Sequence, residues 1–412
     1  MNRINKIAAL LDQFLVSGSN FILTVLLARL LNSEDFGSFS IAWLIVISVF
    51  SFIQGALLAP MLSFMPRMQS EEKKEFANIL FSELIVILFL LCLLSLVAHE
   101  VFDVFDKRNV SQIIKGTAFI AIPYYLFDFL RKHLMVIGKN SLLLCIDSVV
   151  YIALIGGVYF FSEGKLLYTF NIVSGSFALG SLVLLFIEKY NWINPLSMVE
   201  EKRELLKEQV NFSKWLIASS GLQFLNGNMF TLILGMTIST TQVGYLRMAQ
   251  NIVGVINPIY AFLDNHAQLY LARIRHEKGL QHYQNTYLKV ALFCMTGLGI
   301  MLFVVYLFKD PIVRFIYGAQ PREVNSYLVL MLILSAFTGA NFLERLRVKI
   351  TGNTKVIFKS YLFSALISCA MAYPLILFFQ GFGAVQAMII AQVIMLITMF
   401  LARYNSKYIL QN

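Results

Sequence analysis

Residues 32–39 read NSEDFGSF between two long apolar runs, and residues 239–246 read STTQVGYL between two more. Setting Gly37 on Gly244 pairs Asn32 with Ser239, Ser33 with Thr240 and Ala42 with Ala249. Each stretch is a junction between helices, met once in each half of the chain. A second echo supports the first: FLRKHLMVIGKN (129–140) returns as FLERLRVKITGN (342–353), with one residue inserted and Arg131 falling near Arg345. Two half-molecules of one apolar plan are the architecture of many secondary transporters, which carry their substrate path where the halves meet.

The composition agrees. With 58% hydrophobic and 14% charged residues in 412, a water-soluble fold would need an interior larger than a chain of this length encloses. Crossing ~30 Å of hydrocarbon takes ~20 helical residues. Segments of that kind lie at about 8–31, 39–65, 77–98, 116–136, 141–161, 167–187, 213–236, 243–270, 287–308, 324–344, 356–379 and 381–401. The last two are split only by Gln380–Gly383, where Gly381 and Gly383 supply a turn. The predicted fold class is an all-α polytopic membrane protein of twelve transmembrane helices, in two six-helix lobes related by a pseudo-twofold repeat. The lobes are 1–187 and 213–412, joined by a cytoplasmic amphipathic linker over 188–212. In that linker Asn194 and Pro195 can start a helix, and Ser197 with Glu200 resembles a capping box.

Lys and Arg fix the expected orientation. The connections on the side of the N-terminus carry 22 of them and the opposite connections 8, which predicts both termini in the cytoplasm. The net charge of +10 follows from this bias. No soluble basic patch forms, so no nucleic-acid partner is expected. Arg3 and Lys6 before an apolar run imitate a secretory signal, but the run is too long and broken by Ser17–Asn20, so a retained membrane helix is expected. Cys92, Cys145, Cys294 and Cys369 lie in apolar segments without CxxC spacing, as small buried hydrophobes rather than disulfides or metal ligands.

Ionisable and amide groups inside spans usually face a cavity or one another. On the eighth span Arg247, Gln250, Gly254, Asn257, Ala261, Asp264 and Gln268 recur at intervals of three and four, with Asn251 and Asn265 beside them. They form one polar stripe, either a wet wall or a tight polar helix contact, and Pro258 permits a kink within it. Gln13, Ser17, Asn20 and Thr24 share a face of the first span, and Ser219, Gln223 and Asn226 a face of the seventh. Small polar stripes also glue membrane helices together, but their occurrence in symmetry-related spans suggests one central chamber. Arg29 lies off its stripe and snorkels outward, near Glu34 and Asp35. Asp128 pairs most simply with Arg131, and Glu344 with Arg345 or Arg347, while Glu83 and Asp147 have no evident partner. Asp264 is the candidate coupling acid for H+ or Na+.

No catalytic constellation is present: there is no HExxH, GxSxG or Gly-rich phosphate loop, and the five histidines are scattered. The chain is therefore not expected to be an enzyme, nor to hold a metal or cofactor.

The run DQFLVSGSNFILTVLLARLLNSEDFGSFSIAW (12–43) resembles the opening of Wzx-type polysaccharide repeat-unit flippases of the multidrug, oligosaccharidyl-lipid and polysaccharide exporter superfamily. The resemblance rests on Ser19–Phe21, Ala28–Leu31, Asp35–Gly37 and the span from Phe39, and on the basic end of the fourth span, Arg131–Asn140. It implies transfer of an undecaprenyl-pyrophosphate-linked oligosaccharide, for O-antigen (lipopolysaccharide) or other surface polysaccharide synthesis, from the cytoplasmic to the periplasmic leaflet, through a V-shaped cavity between lobes. Its partners would be the lipid-linked oligosaccharide, membrane lipid and polysaccharide polymerases. Arg247 would then hold pyrophosphate, and Gln250, Asn251, Asn257, Gln268, Gln13, Asn20, Gln223 and Asn226 would meet sugar. The lipid II flippase branch carries two further C-terminal helices. The alternative within the superfamily is a cation-coupled multidrug or metabolite antiporter. A membrane glycan polymerase or ligase is disfavoured, because the longest loop is cytoplasmic.

Overall fold

The computed structural model describes residues 3–65, 68–105, 108–188, 203–318, 322–351 and 354–409, and within them leaves the side chains of several residues in 258–276, among others, undescribed. The described residues are helical almost throughout. Among them nine stretches are long and apolar enough to cross a membrane, and one of these, Lys355–Ala402, is two helices broken at Gln380. The seventh and eighth spans complete the expected twelve. Each is broken in the middle, the seventh at Asn228 and the eighth at Val255–Ile256.

The decisive junctions are helix caps. α1 (Arg3–Leu30) ends before Asn32, whose side chain accepts the Asp35 N–H at 2.8 Å and starts α2 (Ser33–Ile53). Ser239 does the same for Thr241 at 3.1 Å, and starts the corresponding span. A side-chain acceptor satisfies one of the free N–H groups of a first turn, for about 1 kcal/mol. The repeat NSEDFG/STTQVG is thus a repeated capping device, and Glu34 and Asp35 add negative charge where the helix dipole favours it.

Two compact units divide at Gly221/Leu222, whereas the sequence placed its boundary in the linker 188–212. Residues 189–202, with the anticipated capping box, lie outside the described residues. In the first unit α2 passes through a π-helical turn, Gln54–Leu58, into α3 (Ala59–Phe64), which has Pro60 in its first turn. Then follow α4 (Ser70–Val104), α5 (Arg108–Val136), α6 (Asn140–Phe161) and α7 (Leu166–Ile187). α1 packs on α6, and α5 packs on α2, α4 and α7. Tyr124, Phe50 and Phe177 fill the centre, and Tyr125 donates to the Val46 carbonyl at 2.7 Å. The first part of α8 (Arg203–Gly227) belongs to this unit as well: Ser213 donates to the Ala56 carbonyl and Ser220 to that of Ser51. At Gly55 the two helices approach closely, since a Cβ there would lie 3.2 Å from the Ile217 nitrogen.

The second unit continues through α9 (Met229–Thr237), α10 (Thr240–Gly254), α11 (Asn257–Leu307), α12 (Lys309–Tyr317), α13 (Arg322–Thr351) and α14 (Thr354–Ile409). α11 holds the end of the eighth span and the whole ninth, divided at Gly279, whose φ of 79° suits glycine. The packing repeats that of the first unit: the tenth span meets the eighth and ninth, and the seventh meets the eleventh. The turn expected at Gln380–Gly383 is present, but its positive φ, 53°, falls on Gln380. Gly381 serves differently, because a Cβ there would collide with the Tyr327 hydroxyl. Gln242 holds the turn, accepting from the Gly381 N–H at 2.8 Å and donating to Gln380 Oε1 at 2.5 Å.

Candidate functional site

α10 places Arg247, Gln250, Asn251 and Gly254 within two turns. Pro258 has no N–H for the Gly254 carbonyl, so the helix breaks at Val255–Ile256 through a tight turn, with Ile256 N–H bonded to the Val253 carbonyl. The eighth span is therefore two rods, and the stripe read as one line is divided. Asn257 sits exposed at the start of the second rod. The side chains of Asp264 and Gln268 lie outside the described residues, though both belong to the helical backbone of α11.

Around Arg247 the chemistry is neutral. Its Nη1 faces Gln250 Oε1 at 3.4 Å, and no carboxylate pairs with it among the described residues. Beside it Asn251 donates to the Tyr317 hydroxyl at 3.1 Å, which in turn donates to the Met248 carbonyl at 3.1 Å. Tyr317 was invisible to periodicity, because it reaches α10 from the short helix α12, which lies between spans.

On α1 the stripe stands apart from the unit's own packing. Gln13 and Gly18 are exposed, Ser17 accepts from Gln13 at 3.4 Å, and Asn20 is half-buried. Gln223 is likewise exposed. Asn226 departs from the expectation of a substrate contact. It is buried, donates to the carbonyls of Leu222 and Tyr361 at 2.8 and 2.9 Å, and accepts from Ser364 at 2.5 Å. Its polar atoms are spent joining the seventh span to the eleventh, the gluing role open to any small polar stripe.

The acids also regroup. Asp147, without an evident partner in the sequence, receives Arg131 Nε at 2.6 Å, while Nη1 reaches Asp128 at 3.0 Å and Nη2 reaches Asp12 at 2.9 Å. One guanidinium so joins α1, α5 and α6. All four side chains are buried, and one oxygen of each carboxylate has no hydrogen-bond partner. Glu83 accepts from Gln209 at 2.8 Å. Glu344 stands 3.9 Å from Arg347, whereas Arg345 instead donates to the Tyr361 hydroxyl at 2.6 Å. Among the described residues no group of three acids, histidines or cysteines is arranged to hold a metal ion.

Several solved structures share this architecture. A lipid II flippase, MurJ, in an inward closed conformation, matches over 98% of this chain and 88% of its own, with a TM-score of 0.71 and 15% identity. An inward-facing multidrug resistance MATE family transporter of the MOP superfamily matches over 97% and 96%, with a TM-score of 0.72 and 13% identity. A MOP superfamily transporter from Pyrococcus furiosus matches over 97% and 94%, with 0.61 and 11%. At such identities the likeness defines the fold class, a multi-pass membrane transporter fold. No curated protein sequence matches the chain. The family model described as polysaccharide biosynthesis protein matches residues 5–267, and the chain belongs to that family.

Proposed function

We propose that this protein flips undecaprenyl-pyrophosphate-linked oligosaccharide repeat units from the cytoplasmic to the periplasmic leaflet of a bacterial inner membrane by alternating access, with both termini cytoplasmic, in O-antigen or other surface polysaccharide synthesis. The observation that carries the proposal is Arg247, a guanidinium in a membrane-spanning region surrounded by amides and a phenol, with no carboxylate beside it among the described residues. A cation away from bulk water attracts an anion far more strongly than one in water, and a guanidinium fits phosphate oxygens in bidentate fashion. Gln250 and Asn257 on the eighth span, with Gln13, Asn20 and Gln223 on the open faces of the first and seventh, supply the amides that sugar hydroxyls require. Asn251 spends one N–H on Tyr317 and keeps its other N–H and its carbonyl oxygen for sugar. Gln268 extends the same set, and Asp264 is proposed as the acid that couples the cycle to H+ or Na+. Polysaccharide polymerases are its expected functional partners.

The family supports the biosynthetic setting, and the flippase among the structural neighbours supports the class of substrate. A multidrug antiporter would place an acid against a cationic ligand, and the described side chains around Arg247 offer none. The deciding experiment deletes the gene and measures lipid-linked sugars. A flippase mutant strands single repeat units on the cytoplasmic face, a polymerase mutant accumulates them on the periplasmic face, and an antiporter mutant accumulates none. Complementation by Asp264→Asn tests coupling: transport with unchanged pH and Na+ dependence would assign Asp264 a structural role.

A further inference from the structure

Two apolar grooves run along the second unit. One lies between the eighth, ninth and tenth spans, with about 860 Å³ of empty space, lined by Ile259, Tyr260, Leu298 and Phe342. The other lies between the ninth, tenth and twelfth, with about 1020 Å³, lined by Tyr287, Ala340, Ile397 and Phe400. Met295 and Leu343 line both, so the grooves diverge from a common wall.

The basic end of that wall is cationic and holds unused donors. Arg347 sits over the Tyr287 ring, 5.8 Å from its centroid. Its charge and that of Arg275 act on the Tyr283 hydroxyl, and the charge of Arg345 acts on that of Tyr260. Tyr260 OH, Tyr283 OH, Arg345 Nε and Arg347 Nη1 are all buried without a hydrogen-bond partner among the described residues. Arg275 donates one bond to the Ile350 carbonyl, and Glu344 stands 3.9 Å from Arg347. Among the described residues that act on Tyr283, two arginines, Arg347 and Arg275, stand against one glutamate, Glu344. Buried donors without acceptors are costly, and a phosphate is the acceptor that satisfies several at once.

We propose that the second unit binds an anionic phospholipid of the bilayer, its phosphate at Arg347, Arg275 and Tyr283 and its two acyl chains in the two grooves that part at Met295 and Leu343. Basic pockets between membrane helices on the cytoplasmic side recognise such headgroups. Two grooves from one cationic head match a lipid with two chains, where a polyisoprenoid has one. The first unit supplies the contrast: its fissure between the second, third and fourth spans, of about 700 Å³, has no charged residue in its lining. An apolar fissure alone selects no headgroup; what sets the second-unit grooves apart is Arg347 over the ring of Tyr287, a residue of the second groove's wall, where Glu344 also stands. The proposal is independent of what the protein transports.

The test is native mass spectrometry of the full chain, delipidated in detergent and titrated with phosphatidylglycerol or phosphatidylcholine. Phosphatidylglycerol is expected to be retained preferentially, and Arg347→Gln to reduce that preference about fivefold, the value of one cation near an anionic headgroup. Tyr283→Phe, which removes a hydroxyl without opening the packing, should reduce it to a smaller degree. Ala340→Trp, which fills one groove, should weaken both lipids equally. Equal retention of the two lipids by the unaltered protein overturns the proposal. So does an undiminished preference in both Arg347→Gln and Tyr283→Phe, and if Arg347→Gln does not fold, Tyr283→Phe decides alone. Displacement of phosphatidylglycerol by an equimolar single-chain polyprenyl phosphate would assign the site to a different lipid and overturn it too.

Discussion

Arg131 in the first unit and Arg345 in the second hold matching places near the basic end of the fourth span of each six-helix set, yet Arg131 meets three carboxylates and Arg345 a phenolic hydroxyl. The repeat puts Ser219 where the first unit has Asp12, Asn341 where it has Asp128, and Ser360 where it has Asp147. Every acid of the first unit's cluster has a small neutral counterpart. Of these counterparts Asn341 still joins helices, donating to Gln392 at 2.8 Å, while Ser360 bonds within its own helix to the Val356 carbonyl, and near them Ser364 contacts both Asn226 and Ala391. The same scaffold is fastened by charge on one side and by neutral hydrogen bonds on the other. Charge makes the first fastening strong only while every member is present; the neutral one loses its parts singly.

That difference sets the largest predicted effect. Arg131→Ala leaves three buried carboxylates facing one another, and is expected to cost about 3–5 kcal/mol, read as a large fall in melting temperature and in membrane-inserted protein. An Arg131→Ala protein as stable as the unaltered chain would show that the cluster is not the fastening of the first unit. Next comes Arg247→Ala, expected to lower polysaccharide export by 10-fold or more, corresponding to the ~1.5–3 kcal/mol of a hydrogen bond to a charged group, at unchanged protein level. Arg247→Lys should recover part of it. Full export by the alanine variant would make Arg247 an interfacial anchor.

Asn226→Ala sharpens the neutral half of the comparison. It leaves the Tyr361 carbonyl short of a partner, while Ser364 keeps the Ala391 carbonyl, for about 1–3 kcal/mol of stability, with substrate affinity unchanged. A variant that melts normally but loses affinity would return Asn226 to the substrate path. The smallest effects belong to the caps. Asn32→Ala and Ser239→Ala should each cost about 1 kcal/mol, and hydrogen exchange at the first turns of α2 and α10 would separate them. A much larger loss in one would mean that the repeat is not a repeated capping device.

What the sequence made legible was whatever depends on neighbours in the chain. The spans, the matched junctions at Asn32 and Ser239, the kink at Pro258 and the turn at Gln380 all follow from composition and local chemistry, though Gly381 proved to matter for closeness to Tyr327 rather than for its own backbone angle. Partners distant in sequence were not legible. The pairing of Asp128 with Arg131 could be read three residues away, but Asp12 and Asp147 meet the same guanidinium only because α1 and α6 pack together. Tyr317 reached Asn251 by a folded-back short helix that no apolar period announces. Asn226 carried the same pattern as Gln223, and only packing separates a residue that glues from one left exposed.

The Arg131 cluster also sets a timetable for synthesis. Asp12 lies 119 residues before its arginine. At about 5–20 residues per second, the first span waits roughly 6–24 s with a carboxyl group at the edge of the hydrocarbon before Arg131 leaves the ribosome, and Asp147 arrives only after that. Nascent chains that stop short of the fourth span hold an unneutralised acid, so the first span should settle in the bilayer late, once the fourth and fifth have come to meet it.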